Sequence, residues 1–284
     1  MSNLAGYGRG AIASRSFFRS ASMFIVLSTV KGLLRDRVLH GIIATGLIFL
    51  AIPSVSTFSM RQVTELSLTL SLSLVSFILL LLAIFVGSVS LWRDVERRYT
   101  HSVLTLPRSR GVYLFGRFIG IAIFLVGTIV VLGIMTVSVV SVVSANYPPD
   151  RPVAWMAVIA ALGFEMLQCL LLVAFAVLFS SVSTSFFLPV FGTIAVYLVG
   201  GASQQAYDYV LSPTGQTLSP FVRWVAELLY YIVPNFSAFD LKINAIYALP
   251  LNWGTLALTA GYAFIYTAFV LILAAAVYSR RELG

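Results

Sequence analysis

Apolar residues fall along this chain in six long runs separated by short polar ones. Each run approaches or exceeds the roughly 20 residues of helix that cross a bilayer core. They lie near 38–58, 66–91, 112–143, 153–180, 186–203 and 251–278. The pattern predicts an all-α membrane protein, a single domain over residues 1–284 with six transmembrane helices. The third and fourth runs are longer than a crossing needs, which permits tilt or extension beyond the lipid. Ahead of the first run, SMFIVLSTVKGLLRDR joins an apolar stretch to Lys31, Arg35 and Arg37. That segment reads as an N-terminal interfacial elbow helix or as an extension of the first span.

The connection from about 204 to 250 is long and not uniformly polar. In SPFVRWVAELLYYIVPN, the residues Phe221, Val222, Val225, Leu228, Leu229 and Ile232 recur at near-helical spacing. Arg223 and Glu227, four apart, sit on the other face. Trp224, Tyr230 and Tyr231 suit a membrane interface. The stretch is too short for a seventh span and ends at Pro234, so it predicts a short re-entrant or interfacial helix. Tyr207, Tyr209, Phe236 and Phe239 read as interface anchors rather than a ligand cage.

Composition agrees with the pattern. Hydrophobic residues make up 60% of the chain and charged ones 10%, with a mean hydropathy of +0.98. Soluble domains carry about 25% charged residues, so no soluble domain can be drawn from this chain. The net charge of +8 does not form a basic stripe interleaved with stacking aromatics, which argues against nucleic acid as a partner. The single cysteine, Cys169, lies inside the fourth run, so no internal disulfide or thiolate metal site is available. His40 and His101 lack ligand-spaced neighbours, and no metal site is expected. The basic N-terminal stretch lacks a short apolar core followed by a cleavage signature and reads as mature chain.

Charge distribution predicts the orientation, because cytoplasmic loops collect Lys and Arg. With the N-terminus inside, that side holds Arg9, Arg15, Arg19, Lys31, Arg35, Arg37, Arg93, Arg97, Arg98, Arg108, Arg110, Arg117, Arg280 and Arg281. The other side holds only Arg61, Arg151, Arg223 and Lys242. Both termini are therefore expected in the cytoplasm. The turn between the fourth and fifth spans, SSVSTSFF, is a second, uncharged cytoplasmic connection.

The densest charge lies between the second and third spans, in DVERRYTHSVLTLPRSRGVYLFGRFIG at 94–120. Val95, Tyr99, Val103 and Leu106 form an apolar stripe with Asp94, Arg97, Arg98 and His101 around it, which predicts a short amphipathic helix stopped near Pro107. Asp94 and Arg98 are four apart and support it. The arginines alone fit an anchor on anionic lipid, but that leaves Asp94, Glu96 and the stripe without a purpose.

These residues resemble the permease subunits of ABC-2 type transporters. The acids Asp94 and Glu96 match the family's pair, Pro107, Ser109 and Arg110 its proline turn, and Gly116, Arg117, Phe118, Ile119 and Gly120 the start of its third span. Arg98 and Tyr99 stand where the family favours Gly-Thr, and Arg117 replaces a lysine. A second region, IVPNFSAFDLKINAIY with the closing AVYSRRELG, is similar to the family's Leu-Pro-x-x-x-x-Phe-Asp segment and its Arg-Arg-Asp-Leu end. The layout resembles the NosY-like branch most.

The resemblance implies half of a transmembrane pathway, dimerised with a second permease copy, identical or related, in a bacterial inner membrane. It implies a separate cytoplasmic ABC ATPase subunit that carries ATP and Mg²⁺, and no cofactor in this chain. The lysines agree: neither Lys31 nor Lys242 follows a glycine, so no phosphate-cradling loop of the Walker A kind exists. The segment around Asp94, Glu96, Arg97, Arg98, Tyr99, Pro107, Arg108 and Arg110 is then the expected coupling helix, with the 180–187 turn as a second contact.

Within the spans, Glu165 in AALGFEMLQCLLL is a carboxylate near mid-membrane. Such a group suggests a function by default, and with Gln168 it reads either as part of a substrate or proton route or as a hydrogen-bonded link to another helix. Gly116, Gly120, Gly127 and Gly133 permit close helix approach. Pro53 and Pro189 are expected to kink the first and fifth spans. A secondary transporter or channel would show halved sequence symmetry with helices broken at matching midplane positions, and an intramembrane enzyme would need paired Asp, a His/Glu metal set or a based serine. Neither pattern is present.

Overall fold

The computed structural model describes residues 23, 25–33, 38–57, 62–96, 110–149, 151–183, 185–213 and 215–280. Among the described residues no strand occurs. A first helix, α1, spans 25–33. The others are α2 (Val38–Ser56), α3 (Val63–Glu96), α4 (Arg110–Asn146), α5 (Trp155–Val182), α6 (Phe187–Leu211), α7 (Pro220–Ile232), α8 (Lys242–Ile246) and α9 (Trp253–Arg280).

Five helices are long and apolar enough to cross a bilayer: Val63–Val89, Gly111–Asn146, Trp155–Val182, Phe187–Leu211 and Trp253–Arg280. They carry a lipid-like exterior, with Leu258 77% and Ile265 74% exposed on α9. This is a multi-pass membrane protein. Six crossings were expected, and the described residues supply five. The remaining one, near 38–58, coincides with α2, whose nineteen residues rise about 28 Å.

Helix lengths depart from the apolar runs in two informative places. The second run was expected to end at 91, yet α3 continues unbroken to Glu96, so about 10 Å of helix projects past the apolar span that ends at Val89. The fifth run was expected to end at 203, yet α6 continues to Leu211. Beyond Gly201 the sequence turns polar, but Gln204 donates its side-chain amide N–H to Asp208 Oδ1 at 2.9 Å, an i,i+4 link that sustains the helix.

Pro189 does not act as a mid-span kink. It is the third residue of α6, in the first turn, where a helix leaves its N–H groups unpaired and proline removes nothing. Pro53 sits inside α2, near its end.

α5 is the central stave and packs against α3, α4, α6, α8 and α9. Its residues Leu171, Leu172, Val173, Ala174 and Ala176 are fully buried, as expected of a helix that is apolar on all sides. Small residues let it approach α3. A side chain built on Gly87 would meet Ala176 Cβ at 2.8 Å, and beside it Ser180 Oγ donates to the Ser88 carbonyl at 3.1 Å. Close backbone contact and interhelical hydrogen bonds are what hold helices together where lipid removes the hydrophobic drive between them.

Candidate functional site

The chemistry of this bundle concentrates where α5 meets the connection between α6 and α9. Glu165 lies one and two turns from Ala161 and Val158, all on the buried face of α5, and is only 8% exposed. Its Oε2 accepts a hydrogen bond from Ser76 Oγ of α3 at 2.7 Å. The same oxygen faces Lys242 Nζ, from the first residue of α8, at 3.7 Å. A lone carboxylate here would be expensive; a hydroxyl donor and an ammonium together offset much of that cost. Lys242 spans the distance on its flexible four-carbon stem, which carries the ammonium to the carboxylate. Gln168, equally buried, forms no hydrogen bond with any described residue. The polar link therefore runs outward from α5 to α3 and α8, and not along α5.

The segment that carries Lys242 descends into the bundle. Phe236 N–H donates to the Gly200 carbonyl of α6 at 3.1 Å. A side chain at Gly200 would meet the Phe236 ring at 2.6 Å, so the approach depends on glycine having none. Phe236 and Phe239 are 2% and 1% exposed. Phe239 contacts the rings of Phe164 and Tyr262. They were expected as interface anchors; they are core residues, because the chain re-enters after Pro234 instead of staying at the surface.

A chain of polar contacts ties the turn down. Ser237 Oγ donates to Asn235 Oδ1 at 2.6 Å, Asn235 Nδ2 donates to Gln204 Oε1 at 2.7 Å, and Asn235 N–H donates to Tyr262 OH at 3.2 Å. By contrast α7 buries no residue. It is amphipathic, with Phe221, Trp224 and Tyr231 exposed, and Tyr230 stacks on Tyr207 of α6 with ring centres 4.2 Å apart. The part that dips into the bundle is thus 234–246, not the 220–232 helix. Tyr209 remains exposed.

Sequence reasoning found Glu165 and overlooked Ser76, Asn235 and the inward reach of Lys242. One signal was available: Lys242 is among only four basic residues assigned to its side, and it follows the aromatic and polar PNFSAFD.

The other expected site lies at the opposite end. Asp94 and Glu96 are in the last turn of α3, and Arg110 is the first residue of α4. A separate helix was expected to begin near Val95; the backbone there is still α3. Arg97, Arg98, Tyr99, Pro107 and Arg108 lie outside the described residues. Just beyond, Gly116 and Gly120 of α4 face α1. Side chains built on them would meet Ile25 at 3.1 Å and Thr29 at 2.7 Å. Arg117 donates to Thr29 Oγ1 at 3.1 Å, and its guanidinium lies 6.0 Å from the centre of the Tyr113 ring. α1 is thereby packed on the start of α4. Gly127 has open space around it, and Gly133 lies against Leu162. Among the described residues no three of His, Cys, Asp and Glu gather as a metal site would require.

Comparison with curated proteins finds no significant match. Comparison with protein families finds one that matches residues 9–283, described as ABC-2 family transporter protein. Because that match takes in all but the first few residues and the last, and falls on a bundle of membrane-length helices, the chain belongs to the ABC-2 family of transporter proteins.

Proposed function

We propose that this protein is the permease subunit of an ATP-driven exporter, pairing with a second permease copy to form the pathway and taking its energy from a separate cytoplasmic ABC ATPase. Family membership carries this reading, and the absence of a glycine-lysine phosphate loop anywhere in the sequence supports it. In this reading α2 is the sixth crossing, both termini are cytoplasmic, the membrane is a bacterial inner membrane, and the nearest branch is the NosY-like one. The fourteen basic residues assigned to one side orient it. ATP and Mg²⁺ bind on the partner.

The 94–110 segment is the coupling element, with Asp94, Glu96, Arg97, Arg98, Tyr99, Pro107, Arg108 and Arg110 as its contact residues. It joins α3 to α4, and both extend as continuous helices far longer than a bilayer core. A push from below moves them as rods. α3 carries Ser76, bonded to Glu165 on α5, which in turn holds Lys242 of the outer re-entrant segment. Glu165 therefore acts as a link between helices and the outer connection, the second of its two expected roles. Among the described residues Glu165 is the one buried charged side chain, and an interior with so little fixed charge favours an amphipathic or lipid-linked substrate over a highly charged one.

Purification from native membranes tests the assignment: a co-purifying soluble subunit with a phosphate-binding loop is expected, while full transport by the reconstituted chain alone would establish a secondary transporter or channel instead. Replacing Glu96 and Arg110 by Ala should lower substrate-stimulated ATP hydrolysis and leave membrane insertion unchanged. Unaltered coupled turnover would remove 94–110 as the coupling element.

A further inference from the structure

A cavity of about 260 Å³ opens between the first turn of α3, the α4–α5 connection and the end of α8. Its walls carry two charges of opposite sign on different elements, Glu65 from α3 and Arg151 from the connection. They do not pair with each other, and neither has an ion-pair partner among the described residues. Arg151 is steadied by donating through Nη1 to the Tyr247 carbonyl at 3.4 Å, which leaves most of its guanidinium donors unused. The Glu65 carboxylate accepts no hydrogen bond from any described residue, and the Thr69 hydroxyl nearby donates to the Glu65 backbone carbonyl instead. Leu68 and Ala245, both buried, form an apolar floor. On the rim, Ala248 adopts φ 51°, a left-handed conformation that costs about 1–2 kcal/mol outside glycine.

We propose that this cavity binds a small zwitterion, its ammonium against Glu65 and its anionic group against Arg151. A ligand with one charge would satisfy one wall and leave the other unpaired as water is displaced. Arg151 matches a phosphate or carboxylate through its planar fork. The volume, at the small end of ligand pockets, suits a headgroup-sized molecule and excludes a long chain. Two sources share this chemistry, the ethanolamine headgroup of an adjacent phospholipid and a free aminophosphate or amino acid. The inference rests on the spans lying in a bilayer, so failure of the ATPase coupling test would leave it standing.

The test is thermal unfolding of the full chain in mixed micelles with three additions: phosphatidylethanolamine, phosphatidylglycerol and soluble phosphoethanolamine. Phosphatidylethanolamine should raise Tm by about 3 °C near saturation, as selective binding to the folded state does. Phosphatidylglycerol, an anion without an ammonium, should not. An equal shift from soluble phosphoethanolamine identifies a free zwitterion as sufficient; a shift from the lipid alone identifies the headgroup in its leaflet. Both Glu65→Gln and Arg151→Gln should abolish the shift. Equal responses to the two lipids, no response to either zwitterion, or shifts that survive both substitutions would overturn the proposal. Should a variant fail to fold, the comparison between lipids on the unmodified protein still decides it.

Discussion

Removing either member of the Glu165–Lys242 pair should destabilise the protein more than removing both. At 3.7 Å, two unit charges attract by about 4.5 kcal/mol at an effective dielectric of about 20. The Lys242 side chain is 27% exposed, and doubling the dielectric to allow for that lowers the attraction to about 2 kcal/mol. The expected coupling is therefore about 2–4 kcal/mol, the range bracketed by those dielectrics. Glu165→Gln keeps an oxygen for Ser76 Oγ, so it isolates the loss of charge and strands the ammonium. Lys242→Met keeps the stem and strands the carboxylate, the costlier error in a buried setting. The double substitution removes the mismatch. The assay is a double-mutant cycle by chemical unfolding at fixed micelle composition, using the parent, both singles and the double. Single effects that add to within about 0.5 kcal/mol would show that the pair is not coupled, and the link from α5 to the re-entrant segment would fall with it.

Three further outcomes follow from the packing. Gly200→Ala drives a methyl into the Pro234 carbonyl oxygen and the Phe236 ring and should cost about 1–3 kcal/mol; a cysteine introduced at Ser237 should then label faster with a membrane-impermeant thiol reagent, and unchanged labelling would show that Gly200 does not hold the turn. Gly87→Val forces α3 away from Ala176 and should lower Tm by several degrees, readable by thermal scan in detergent. Ala248→Gly should raise stability by about 1 kcal/mol, because position 248 follows the cap of α8 in the left-handed conformation that glycine adopts freely, with the Leu249 N–H closing back on the Asn244 carbonyl; a loss of stability in chemical unfolding would refute that assignment.

The sequence by itself determined the class of molecule. Apolar runs of membrane length, separated by short polar links, admit only helices with internally paired backbones, and five such runs are membrane-length helices in the structure. It also located the amphipathic 220–232 helix, because a 3.6-residue period is written in neighbouring positions. Glu165 was legible as well, since a carboxylate surrounded by Phe, Leu and Met announces itself. What tertiary structure alone decided is which distant residues meet. Ser76 is one serine among many on α3, and nothing local distinguishes the one that faces Glu165. Lys242 counted only as one of four basic residues on the outer side, and Phe236 and Phe239 read as interface anchors, until the re-entrant path carried them inward. That path depends on Gly200 leaving room on α6 for a chain thirty-six residues later. Local pattern sets helix and exposure averages through short-range periodicity; a close approach between segments far apart in sequence depends on the shape of both surfaces at once, and no single stretch encodes it.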